Sequence, residues 1–263
     1  MSSQHNSLRW RSGVNLVVIA AALIAITVIT NTYSFNLMLR NFRQSLSSTA
    51  QIYTEQISGK VDKINSGSLE LVSLAASSQN YYTSSPLGRY LTQQDILTRL
   101  QDRIRYVESS DLYFFYRTDS DELLTALSNR PSTGSSYFWN QYLMPPTQPA
   151  NTWFSVTCNG ETWLMCYYNV SQVRVGAAVR AKTLLQSLYA DTGLVQDSGF
   201  ALAGLDGTIV YSSQPDLMAC GTSLAGHIPA SLIVESHTVP EVGTLLLFRP
   251  SSDLLHQLSG SFG

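Results

Sequence analysis

Between Val14 and Thr30 the chain carries only three polar side chains, Asn15, Thr27 and Thr30. A buried helix of a soluble protein keeps a polar face, and this run has none. With its flanks, Gly13 to Tyr33, it reaches the length of about 20 residues that the hydrocarbon core requires. Arg9 and Arg11 precede it, Arg40 and Arg43 follow it, and no Asp or Glu occurs before Glu55. The nearer arginine pair places the N-terminus in the cytoplasm. Tyr33 and Phe35 suit the far interface. A cleaved signal peptide would have a shorter apolar core and a small-x-small site. The Thr-Asn-Thr-Tyr-Ser that follows the run is a poor one. The chain is therefore expected to be anchored in a lipid bilayer by one helix, with its bulk outside the cytoplasm.

Beyond the span, residues 42–77 read as one amphipathic helix. Ala50, Ile57, Ile64 and Leu71 recur every seven residues, and Leu46, Tyr53 and Leu74 fall beside them. Gln51, Glu55, Lys63 and Glu70 take the opposite face. Lys60 and Gly67 interrupt the seam, so a self-sufficient coiled coil is not expected. A homodimer through residues 42–64 of this helix, with Ile57 and Ile64 in its seam, is.

The remainder reads as α+β. Tyr81–Arg89 contains Ser-Ser-Pro and reads as a loop. A second helix starts at Asp95 with Ile96, Leu97, Leu100, Ile104 and Val107 on one face. Leu112–Tyr116 and Glu122–Leu127 are strands. Ser135–Leu143 is a short helix, and the three prolines between 144 and 150 make a loop. Asn159-Gly160 between Trp153–Cys158 and Glu161–Val170 marks a two-residue hairpin. Val173–Val179 is another strand, followed by a helix over Lys182–Tyr189. A smaller strand set follows: Phe200–Gly204, Thr208–Ser212, Leu232–His237 and Gly243–Phe248. Ser251 to Asp253 opens a last helix. The order implies two antiparallel sheet units hung on one long helix.

This order resembles the double-Cache (dCache) extracellular sensor regions of bacterial transmembrane signalling proteins, most of all those of sensor histidine kinases. The residues that carry the resemblance are the Arg-flanked span running into the helix at 42–77 and the strand Asp111-Leu-Tyr-Phe-Phe-Tyr-Arg117. With them go Ala203-Gly-Leu-Asp-Gly-Thr-Ile-Val-Tyr-Ser-Ser213 and the closing Leu245-Leu-Leu-Phe-Arg-Pro-Ser-Ser-Asp253. The resemblance implies a cytoplasmic N-terminus (1–12), a transmembrane helix (13–33), a scaffold helix (42–77), a membrane-distal PAS-like Cache unit (92–180) and a smaller proximal one (195–250). Residues 251–263 would lead towards a second span. It further implies a small-molecule ligand in the distal unit and a signalling output, with no kinase domain in these 263 residues. The Tyr/Arg/Trp/Asp pattern of amino-acid-binding Cache domains is missing: no Arg lies between 131 and 173, and Glu161 is the only carboxylate on the 153–170 hairpin strands. The competing expectation is a membrane-tethered binding or adhesion protein without signal output.

The residues themselves offer no catalytic or metal-binding spacing. His5, His227, His237 and His256 stand alone, and there is no Cys-x-x-Cys, Gly-x-Ser-x-Gly or phosphate loop. Neither an enzyme nor a cofactor is expected. Net charge is −2, which supplies no field for nucleic acid. In the hairpin register Cys158 and Cys166 fall on opposite sheet faces, so free, mostly buried thiols are expected. The distal unit gathers Tyr113, Phe115, Trp139, Tyr142, Trp163, Tyr167 and Asn169, with Arg174 nearby. Tyr113 shares a strand face with Phe115, and Trp163 shares one with Tyr167 and Asn169. Each ring taken singly reads as core. As a set, with 14 Tyr in the chain, they favour an aromatic cavity for a ring-containing or sugar-like ligand.

Overall fold

The apolar run lies, in the computed structural model, within a single helix, α1 (Ser3–Ser77), which also takes in the residues between the expected span and the scaffold helix. The structure describes residues 3–77, 85–106, 110–127, 150–158, 160–190, 198–225 and 228–252. Trp139, Tyr142, Val107 and the helix expected over 135–143 lie outside them. Two compact units divide the chain, Met1–Leu46 and Ser47–Gly263.

In the first unit, Leu16, Ile19, Leu23, Ile24 and Ile29 are all exposed. This helix is long and apolar enough to cross a membrane. Its hydroxyls do not interrupt that surface. Thr27 Oγ1 donates to the Leu23 carbonyl at 2.8 Å and Thr32 Oγ1 to the Val28 carbonyl at 2.8 Å. Each side chain thus satisfies its proton on its own helix, as a hydrocarbon surrounding demands.

In the second unit the seven-residue stripe does what its spacing requires. Ala50, Ile57 and Ile64 are fully buried and Leu71 is 2% exposed, while Gln51, Glu55, Lys63 and Glu70 stay exposed. Ile57 and Ile64 therefore serve the core of their own chain and are not available as a seam between two copies. The outward line of α1 is Ile52, Glu55, Gly59, Asp62, Ser66 and Leu69.

The second helix, α2 (Pro86–Tyr106), begins nine residues before Asp95, inside the segment expected to be a loop. Pro86 is the cause of both the expectation and the correction. Proline stops a helix from within, but at the first position its missing N–H costs nothing. Ser85 caps it, its Oγ accepting from the Gly88 N–H at 3.3 Å. Ile96 and Leu100 are its buried residues.

Five strands follow: β1 (Leu112–Arg117), β2 (Glu122–Leu127), β3 (Phe154–Cys158), β4 (Glu161–Val170) and β5 (Val173–Arg180). They form an antiparallel sheet in the order β2-β1-β5-β4-β3. The expected helix over Lys182–Tyr189 is two short ones, α3 (Ala181–Leu184) and α4 (Gln186–Ala190), broken at Leu185. The second sheet has β6 (Gly199–Gly204), β7 (Ile209–Ser212), β8 (Leu232–Val239) and β9 (Gly243–Pro250), in the order β7-β6-β9-β8. Its core is Ala201, Ala203, Ile209, Met218, Leu232, Leu246 and Phe248. Of the last helix only Ser251 and Ser252 fall among the described residues. The fold is α+β, a long helix followed by two antiparallel sheets.

Gly67 lets α1 approach the first sheet. A Cβ there would stand 2.5 Å from the Tyr113 hydroxyl and 3.1 Å from its ring, whereas one at Gly59 would meet nothing within 4 Å. The two glycines should therefore respond oppositely to alanine. Gly59→Ala gains helix propensity of about 0.5–1 kcal/mol. Gly67→Ala adds a methyl against a fully buried side chain and should lose about 1–3 kcal/mol. Urea unfolding of both variants decides it; equal stabilisation would mean that α1 does not sit this close to β1.

Candidate functional site

Because partners across an antiparallel ladder share a face, the register sorts the side chains of the five-stranded sheet without ambiguity. Phe114 pairs with Gly176, which pairs with Tyr167; Tyr116 pairs with Arg174, which pairs with Asn169. Leu112, Ala178 and Met165 form a third row, and Phe154 joins it from β3. Trp163 pairs with Arg180. All of these stand on one face. Tyr113 and Phe115 pair with Ala177 and Val175 and stand on the other, where Tyr113 meets Gly67 of α1.

The expected set is thus divided by the sheet itself. Trp163, Tyr167, Asn169 and Arg174 come together on the face away from the Tyr113–Gly67 contact. Tyr113 and Phe115 cannot reach them through the backbone layer. Trp139 and Tyr142 lie outside the described residues. In place of Tyr113 and Phe115 the face takes Phe114 and Tyr116, and it adds Met165 and, from the edge strand, Phe154. Alternation within β1 could have named both sets. It could not choose between them, since every residue from Leu112 to Arg117 is buried.

The face is an aromatic floor bounded by guanidinium groups. Leu112, Phe114, Tyr116, Trp163, Met165, Tyr167 and Ala178 form one buried cluster. Phe154 meets Tyr167 edge to face, centroids 6.1 Å apart at 86°, the arrangement ring quadrupoles favour. The Arg174 guanidinium lies 5.7 Å from the Tyr167 ring, and that of Arg180 lies 4.7 Å from the Trp163 ring. Trp163 and Tyr167 are four residues apart on β4, so the two cations flank a floor about 13 Å long. Arg174 and Asn169 reach solvent, half-buried and exposed in turn.

Buried polar groups hold both ends. At one, Asp111 accepts the Arg180 backbone N–H at 2.8 Å and faces its guanidinium at 3.4 Å. Glu161 takes the same guanidinium at 3.0 Å. At the other, Tyr116 donates to Asp121 at 3.0 Å and Arg117 Nε donates to Asp119 at 2.7 Å. The Arg117 hydrogen bond holds the Asp119 carboxyl below the usual carboxylate range. Burial, then the bond to Asp121, raises the Tyr116 phenol, which therefore stays protonated.

Cys158 lies on the floor side and Cys166 on the α1 side, as the hairpin register requires. All three thiols are free, but only Cys166 is buried; Cys158 is half-buried on an edge strand and Cys220 is exposed. Burial pushes the Cys166 thiol up to about 11, so it is not poised as a nucleophile.

No family model matches the chain, and no curated protein does. Solved structures do match. The periplasmic sensory domain of the Campylobacter jejuni chemoreceptor Tlp1 aligns with a TM-score of 0.56 at 9% identity, over 82% of this chain and 97% of that one. The extracellular domain of a candidate histidine kinase, soHK1S-Z6, aligns with a TM-score of 0.57 at 9% identity, over 86% and 99%. The ligand-binding domain of the Pseudomonas aeruginosa chemoreceptor PctB, solved with L-Arg, aligns with a TM-score of 0.52 at 13% identity, over 81% and 97%. At these identities the likeness is one of fold. The long helix and the two antiparallel sheets of this chain have the Cache-like fold of periplasmic and extracellular sensory domains.

Proposed function

We propose that this chain is the extracytoplasmic ligand-sensing region of a membrane signalling receptor, the input half of a two-component sensor histidine kinase. The observation that carries the reading is the joining of a Cache-like body to an apolar helix long enough to cross a bilayer. Arg9 and Arg11 before the apolar run favour a cytoplasmic N-terminus. The small-molecule site is the rim of the aromatic floor, where a ring-containing or sugar-like molecule meets the exposed Asn169 and the half-buried Arg174 guanidinium that lies over the buried Tyr167 ring. Binding matters for signalling only if the ligand prefers one of two arrangements of the body. Any pairing of two copies along α1 falls to its outward line around Ile52 and Gly59, because Ile57 and Ile64 fill the core.

The test is a thermal-shift screen of the full chain in lipid nanodiscs against sugars, organic acids, amino acids and nucleobases. A ligand at about 100 times its Kd should raise Tm by about 5–10 °C. Arg174→Ala and Tyr167→Ala should each remove the shift, while Phe115→Leu, on the opposite face, should keep it. A well-folded chain with no shift in any class, or a shift that survives both floor variants, would defeat this assignment.

A further inference from the structure

Asn65 on α1 makes two hydrogen bonds of opposite polarity. Its Oδ1 accepts from Trp153 Nε1 at 3.1 Å, and its Nδ2 donates to Glu241 Oε2 at 2.6 Å. Trp153, 3% exposed, immediately precedes β3 of the five-stranded sheet. Glu241 is the tip of the β8–β9 hairpin of the four-stranded sheet. One helix side chain therefore ties both sheets.

The chemistry of the three groups leaves little choice of residue at position 65. An indole N–H can only donate and a carboxylate can only accept. A carboxamide offers one acceptor and one donor end at once. An aspartate would keep the Trp153 bond and repel Glu241, and an aliphatic residue would lose both.

The hairpin tip is built in a way that needs such a tether. Glu241 has φ of 66°, a left-handed conformation for a residue with a side chain, which persists only where its surroundings enforce it. The next residue, Val242, is 2% exposed, and its N–H donates to the Val239 carbonyl at 3.3 Å to close the turn. Val242 also shares with Trp153, Phe154 and Leu164 the wall of a cleft of about 280 Å³ between the two sheets. Glu241 is near enough to β4 to act there too. After burial, the largest cause, its charge contributes to raising the Cys166 thiol and the Tyr168 phenol.

We propose that Asn65 is a positioning residue that locks the β8–β9 tip to the β3 end of the five-stranded sheet across α1. A displacement at one sheet then reaches the other through this carboxamide, beside the direct hydrogen bond that Thr162 Oγ1 of β4 donates to the Val210 carbonyl of β7 at 3.1 Å. The purpose of such a lock rests on the sensing reading above; its existence does not, and its test uses no ligand.

The experiment is hydrogen–deuterium exchange of the full chain in nanodiscs, read at the Val239–Gly243 turn. Asn65→Asp should speed exchange there about fivefold, the factor that the loss of one ordinary hydrogen bond gives, with β1 and β5 unchanged. Adding Glu241→Gln should return exchange to the wild-type rate, because the introduced amide now donates to the introduced carboxylate. Unchanged exchange in Asn65→Asp overturns the lock, and so does a folded double variant that is not rescued. If Asn65→Asp alone fails to fold, a double variant with wild-type protection supports the lock, and one that also fails to fold overturns it. Failure to find any ligand in the screen leaves each of these outcomes readable.

Discussion

Gly176→Ala should be among the most destabilising single-methyl changes in this chain, by about 3 kcal/mol or more. The reason is what the methyl would meet. A Cβ at Gly176 would stand 2.2 Å from the Cys166 carbonyl oxygen and 2.8 Å from the Tyr167 Cα, both backbone atoms of the neighbouring strand, and 2.9 Å from the Phe114 ring. A flexible side chain could swing away; a ladder of backbone hydrogen bonds cannot. β5 is the central strand of the sheet, so separating it from β4 also disturbs its pairing with β1. Position 176 is the middle of the Phe114–Gly176–Tyr167 row, and the missing side chain is the hollow into which the Phe114 ring fits. The variant should show a lower denaturation midpoint together with faster amide exchange in both β4 and β1. An unfolding free energy within about 1 kcal/mol of wild type would show that the three central strands do not pack in this register.

Asp111→Ala should cost about 2–4 kcal/mol, far more than an exposed ion pair. Asp111 is 6% exposed. Its two oxygens serve different donors: one takes the Arg180 backbone N–H at 2.8 Å, where β5 turns into α3, and the other faces the Arg180 guanidinium at 3.4 Å. Removing the carboxylate strips that backbone N–H of this acceptor and leaves the guanidinium, 16% exposed, to Glu161, which is 54% exposed and screened by water. Asp111→Asn keeps an acceptor for the N–H and loses the charge, so it should fall between the two. Arg180 lies 4.7 Å over the Trp163 ring, so Asp111→Ala should also change Trp163 fluorescence in the folded protein. Equal stability of wild type and Asp111→Ala in urea would mean that this carboxylate does not hold the end of the floor.

Features that depend on neighbours along the chain were legible from the residues. The membrane-length apolar run needs only composition. The buried stripe Ala50, Ile57, Ile64 and Leu71 needs only the helical period. The limits of β4, Glu161 to Val170, and the opposite faces of Cys158 and Cys166 follow from a two-residue turn and alternation. Even the order of the two sheets could be read, because each comes from a continuous stretch of chain. The onset of α2 is ambiguous in the sequence for a local reason: proline stops a helix from within and starts one from its first position, and the Ser85 cap decides which.

The site was the part that alternation alone left undecided. β1 is buried on both faces, so the residues of Leu112–Arg117 divide into two sets with nothing in their polarity to rank them. The choice was made by the pairing of β1 with β5, more than fifty residues later in the chain, and by Gly67 receiving Tyr113 on the α1 side. That pairing puts Phe114 and Tyr116 beside Tyr167, Asn169 and Arg174, and it sends Tyr113 and Phe115 to the helix. In the same way, nothing near Asn65 in sequence shows that its amide would stand between Trp153 and Glu241. Local periodicity determined which elements form and which of their faces are apolar. Tertiary structure alone decided which buried face meets α1 and which forms the floor, because that choice depends on contacts between residues far apart in the chain.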